Sequence, residues 1–185
     1  MLTLTRVFHW KLTLLGLMLL TLSGCNAVIS KRPVGEKPAV IAAKDWEGDW
    51  VTNDGTVKLK VLDPNKGIIR AAWLEDDNRG NPALKIAEIE VRNSGGWLFA
   101  NTKEDKGRGY VWGRIQNEDR QIIVWSPDDR LFAKAIKDGI LPGRVEGNDV
   151  FLDDLKPEHL KLITSTEKGV LFSWDKPSVF TKLSN

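Results

Sequence analysis

The side chains that could do chemistry are few and scattered. Past the first 24 residues one histidine remains, His159, directly after Pro157-Glu158. Acyl transfer of the Ser-His-Asp type needs a histidine oriented by a carboxylate and touching a nucleophile, and no G-x-S-x-G sequence supplies one. A lone histidine early in a short helix is expected to cap it or face water. Carboxylates are plentiful: Asp45/Asp49, Glu75/Asp76/Asp77, Asp128/Asp129 and Asp153/Asp154. Glycoside hydrolysis requires two that face each other at about 5 or 6.5–9.5 Å, one with its pKa raised by burial. These all sit in turn or capping contexts, where water keeps them ordinary. Asp63-x-Asn65-x-Gly67 and Asp76-x-Asn78-x-Gly80 open like oxygen-ligand calcium loops, but neither reaches the bidentate glutamate that completes one. Phosphate-cradling and dinucleotide-binding glycine patterns are absent, and one cysteine rules out an intrachain disulfide and a cysteine metal site. The expectation is a chain that is not an enzyme, with no catalytic residues, cofactor or metal; a carboxylate-based hydrolase is the last alternative.

Tryptophans are the other unusual stock. Trp46, Trp50, Trp73, Trp97, Trp112, Trp125 and Trp174 follow the leader, at least one on most of the expected strands. Indole is large and flat and carries a single donor, so it suits a core as well as an apolar or glycan-binding cleft. Both readings stay open: core packing, or a cavity or exposed apolar patch lined by some of these rings.

The cysteine sits in a telling place. Residues 1–11 carry Arg6 and Lys11 and no acid, and Leu12–Leu22 is an almost unbroken apolar run. Eleven helical residues span about 16 Å, far short of a hydrocarbon core of about 30 Å, which is the length of a signal-peptide apolar region. The run ends in Leu22-Ser23-Gly24-Cys25, which resembles the lipobox of bacterial lipoproteins: an aliphatic residue, two small residues, then cysteine. The resemblance implies cleavage between Gly24 and Cys25, a diacylglyceryl thioether on Cys25, and acylation of the freed amine with a palmitate-type chain. One acyl chain binds a membrane marginally, whereas two or three anchor stably. Asn26 is not the aspartate that this resemblance associates with inner-membrane retention, so the expected location is the outer membrane, with the domain facing the periplasm.

Past the leader, removing Arg6 and Lys11 from 27 basic side chains leaves 25 against 25 acidic ones. A neutral chain has no field to draw it onto nucleic acid, which requires clustered Lys and Arg. Residues 25–44, with Pro33, Gly35 and Pro38 and no sustained period, read as the lipidated cysteine followed by a flexible tether, and residues 45–185 as a single domain.

That domain reads as mainly β. Turn signals recur every eight to twelve residues, the spacing of hairpin-joined antiparallel strands. Strands are expected over 46–52, 57–61, 68–75, 87–91, 97–102, 110–116 and 121–125, with turns at Asn53-Asp54-Gly55, Asp63–Gly67, Asn93–Gly96 and Asn117–Arg120. Lys58 and Lys60, and Glu88, Glu90 and Arg92, give the second and fourth strands a wet face. The last three are apolar on both faces, so something must cover the second. A helix capped by Ser126 with Pro127 at its first position and stripe Leu131, Phe132, Ala135 and Ile136 is available, as is another beginning near Pro157 with Leu160 and Ile163 inward. Short strands are expected within 143–152, 170–174 and 179–183. The architecture expected is an antiparallel meander forming a strongly curved sheet or lipocalin-like barrel, with two short helices in its C-terminal part.

Trp46-Glu47-Gly48-Asp49-Trp50 resembles the opening of lipocalins, where an aromatic residue and then G-x-W begin the first strand. The resemblance implies that Trp50 plugs the barrel base with an arginine packed over it, a residue this sequence does not identify. Together these readings lead to a membrane-anchored, non-catalytic envelope lipoprotein that binds a small apolar ligand or an envelope protein; a structural or assembly factor of the outer membrane is the alternative.

Overall fold

The computed structural model describes residues 26–76, 80–164 and 171–183. The leader, the Gly24-Cys25 junction, Asp77 and Asn78, and residues 165–170 lie outside the described residues.

Seven consecutive antiparallel strands form where alternation and turn signals place them: β3 (Gly48–Thr52), β4 (Gly55–Asp63), β5 (Ile68–Asp76), β6 (Pro82–Ser94), β7 (Trp97–Lys103), β8 (Tyr110–Glu118) and β9 (Gln121–Trp125). The C-terminal β12 (Ser178–Lys182) then pairs β9 on one edge and β3 on the other, and β8 pairs β9, which closes an eight-stranded barrel. Closure removes the outer edges that an open meander would expose.

Two cores use the two faces of this one sheet. Inside the barrel, inward residues such as Val57, Leu59, Ile69, Ala71, Val91, Ile115, Val124 and Phe180 pack around Trp50. Outside it, Trp97, Phe99 and Trp112 of β7 and β8 are covered by α2 (Asp129–Lys137) through Phe132 and Ala135, by α3 (Pro157–Ile163) through Ile163, and by Phe172. The doubly apolar strands thus find the cover that their composition requires. The α2 start differs from expectation: Asp128, not Ser126, is the cap, its Oδ1 accepting from the N–H of Arg130 (3.0 Å) and Leu131 (3.2 Å). Pro127 instead bridges Phe172, and this bridge is all that residues 171–174 contribute in place of the expected strand. Residues 143–152 form a hairpin, β10 (Gly143–Glu146) and β11 (Asp149–Leu152).

The segment read as a tether is part of the domain. β1 (Val28–Ser30) lies between β11, in parallel, and the first two residues of β8. β2 (Lys37–Pro38) adds to β6 at Arg92 and Asn93, and a helical turn, α1 (Ala43–Trp46), leads into β3. Ala27, Val28, Ile29, Val34, Ala39 and Ile41 are all buried. The prolines and glycine that suggested flexibility lie within this strand-and-strap segment, so the domain takes in residues 27–44 as well as those from 45 onward. The two expected C-terminal helices are α2 and α3, and α1 is a further helical turn ahead of the barrel.

Candidate functional site

The structure sorts the seven tryptophans by face. Trp46, Trp50 and Trp73 belong to the barrel interior; Trp97, Trp112 and, partly buried, Trp125 belong to the outer cluster. Trp174 packs edge-on to Trp97 at 5.9 Å between centroids. At the barrel base Trp50 is fully buried and its Nε1 donates to the carbonyl of Trp46 at 2.8 Å. Lys182 from the last strand sets its ammonium 5.5 Å from the Trp50 ring centroid and donates to the Lys44 carbonyl at 2.6 Å. A lysine therefore takes the place over the tryptophan where the lipocalin resemblance implies an arginine. Gly48 has φ +130, and a Cβ there would lie 3.2 Å from Lys182 Cε, so the glycine of G-x-W leaves room for that cation.

Among the described residues, the centre of the barrel is filled by apolar side chains. The apolar void between Trp46, Leu59, Ile89, Val124 and Phe180 is about 40 Å³, against the several hundred that a small-molecule pocket encloses.

A larger opening, about 610 Å³, lies in the barrel wall between β6 and the end of β7. The registers explain it. β6 pairs β5 from Pro82 onward, but it pairs β7 only from Ile89, opposite Thr102. Among the described residues, nothing pairs with that edge of β6 ahead of Ile89. Val91 turns its N–H and C=O away from β7, to Gly67 and Ala39, so by alternation Leu84, Ile86 and Glu88 turn theirs toward the opening. Trp73, Lys85 and Ile89 wall it on one side, Thr102, Lys103 and Tyr110 on the other, and the buried Trp73 Nε1 has no hydrogen-bond partner among the described residues.

The outer face beside this edge, ahead of the wet strand expected from Ala87, is apolar. Leu74 opposes Leu84 and Ala72 opposes Ile86 across β5 and β6. Leu74, Leu84 and Ile86 are 69%, 64% and 59% exposed. Farther along the same strands the expected charges do appear: Arg70 pairs Glu88 at 3.0 Å and Arg92 pairs Glu90 at 2.6 Å. Sequence reading missed this site because it began the strand at Ala87. The available signal was a change of phase, with apolar residues at 84 and 86 and then at 87, 89 and 91.

In the outer cluster, Arg114 stacks over Trp97 (3.6 Å to the centroid), Trp174 (4.6 Å) and Trp125 (5.2 Å). Burial lowers its pKa, and no carboxylate among the described residues lies within 4.0 Å of it. Three ring faces replace the missing counter-ion.

Several of the remaining candidates have structural partners. His159 Nδ1 accepts from the Lys156 N–H at 3.0 Å, which ties down the start of α3. Asp63 Oδ1 accepts from the N–H groups of Asn65 and Lys66, both at 3.1 Å, so the calcium-like loop closes on itself as a turn. Asp49 lies 3.4 Å from Lys58, and Asp154 lies 2.9 Å from both Lys31 and Arg32. Among the described residues no three His, Cys, Asp or Glu side chains gather as a metal site. No family model, no curated protein and no solved structure matches this chain.

Proposed function

We propose that this chain is an envelope lipoprotein, cleaved before Cys25, held in the outer membrane by acyl chains on that residue, and carrying a non-catalytic barrel that binds an extended segment of another envelope protein. The observation that carries the binding reading is the unpaired edge of β6 at Leu84, Ile86 and Glu88, beside an exposed apolar face. A strand laid along that edge would take up its free main-chain groups, with apolar side chains at alternate positions covering Leu74, Leu84 and Ile86. The 40 Å³ interior argues against the apolar-ligand alternative, and a fatty-acid-like probe should accordingly leave tryptophan emission unchanged.

The test is photo-crosslinking in cells from position 85, on the same edge, compared with position 161 on α3. The expected result is one dominant adduct from position 85, lost when Ile86→Pro removes an edge N–H that no described strand uses. Equal labelling from both positions, or an adduct that survives Ile86→Pro in a folded protein, would contradict the reading.

A further inference from the structure

We infer that the domain lies directly on the bilayer that holds Cys25, with the β1 and β11 side of the barrel against the headgroups and the β4 wall turned away. This rests on the anchoring reading above and deepens it. The residues that follow the cysteine are built into the domain. The Asn26 amide donates to Asp129 Oδ2 at 2.6 Å, and Ala27, 2% exposed, donates its N–H to Asp149 Oδ1 at 3.1 Å and accepts from the Val150 N–H at 2.8 Å. Two virtual bonds separate Cys25 from Ala27, a reach of roughly 7–8 Å. The headgroup layer of one leaflet is about 5–8 Å deep. An acylated Cys25 therefore has no spacer to lift the domain clear of the lipid.

The carboxylates around this point are held by local partners. Asp149 is paired with Arg108 at 2.6 Å and Asp128 with Arg130 at 3.2 Å. The Asp129 carboxylate accepts from the neutral Asn26 amide, and Arg108 is shared with Glu104 at 2.8 Å.

Topology decides which wall faces away. β1 attaches to β8, and β4 lies four strands from β8 in either direction around the closed ring. Lys58 and Lys60 on its outer face are thus diametrically opposite the anchor. β6 lies midway between β8 and β4 in the ring, so the proposed docking edge sits on the flank of the barrel.

The experiment uses the full chain, processed in cells, extracted with its acyl chains and reconstituted in phosphatidylethanolamine and phosphatidylglycerol vesicles. The thioether blocks Cys25, so a fluorophore can be placed on a single new cysteine, Asn148→Cys in the exposed β10–β11 turn or Lys60→Cys on β4. A headgroup-bound quencher should reduce the emission several-fold more at position 148 than at 60. Inserting roughly a dozen Gly and Ser residues after Asn26, a coil of about 20 Å, should bring the two positions to the same weak quenching. Equal quenching without the insert, stronger quenching at position 60, or no response to the insert in acylated protein would overturn the inference while leaving the anchor intact. A mass without acyl chains would overturn the anchor, and the inference with it.

Discussion

The side-chain amide of Asn101 bonds both main-chain groups of Val34: its Oδ1 accepts from the N–H at 2.6 Å and its Nδ2 donates to the carbonyl at 3.1 Å. Both residues are 1% exposed, and the same Nδ2 lies 3.2 Å from the Glu90 carbonyl. A side chain on the outer wall of β7 thereby stands in for a neighbouring strand and straps the N-terminal segment to the barrel.

Replacing Asn101 by Ala would leave the Val34 N–H and carbonyl buried without partners, at a cost of about 2–3 kcal/mol. Urea unfolding should show that loss with an unchanged slope, while Asn101→Asp, which sets a buried carboxylate against the Val34 and Glu90 carbonyls, should lose at least as much as Ala.

Starting the chain at Ala39 should unfold the domain or lower its melting temperature sharply, because Val28, Ile29 and Val34 leave the two outer clusters they fill and each buried aliphatic side chain contributes about 1.5–3 kcal/mol. A tether would be removable without effect. Circular dichroism melts of the two chain lengths separate these outcomes.

At the base, Lys182→Met keeps the stem over Trp50 but loses the ammonium and its bond to the Lys44 carbonyl, which should cost about 1 kcal/mol. Trp50→Ala should cost about 3–5 kcal/mol by opening the core. Equal losses in paired denaturant titrations would show that the cation, not the ring, holds the base together.

Glu104 gives the domain an acid dependence. Its carboxylate accepts from Arg108 Nε at 3.2 Å and Nη2 at 2.8 Å, and that guanidinium holds its pKa below the usual range. A pKa depressed by folding contributes stability that is complete above the unfolded value, about 4.3, and is lost as the pH falls through the folded one. Glu104→Gln should therefore be less stable than the parent at neutral pH, and the two should converge as the pH is lowered toward 3. Urea titrations at several pH values would show the convergence, and a constant gap would contradict it.

Much of the barrel was legible in the sequence because its inward residues alternate cleanly: Val57, Leu59 and Val61, and Ile69, Ala71 and Trp73, announce both strand and face. The need for helical cover over β7 to β9 was legible for a related reason, since Trp97, Phe99 and Trp112 sit opposite other apolar residues. Residues 26–44 were not legible. A strand of three residues has no period to read, and Pro33, Gly35 and Pro38 look the same in a strap as in a linker until Asn101 is seen beneath them. The β6 edge was hidden because free main-chain groups leave no mark on composition, and the strand was read only from Ala87 because the phase of Leu84 and Ile86 disagrees with that of Ile89 and Val91.

The fate of Cys25 is the point on which location and orientation both depend, and intact-mass analysis of protein extracted from membranes tests it most directly. The account predicts a chain that begins at Cys25 and carries the added mass of a diacylglyceryl group and an amide-linked acyl chain. A chain of all 185 residues with no added mass would contradict it.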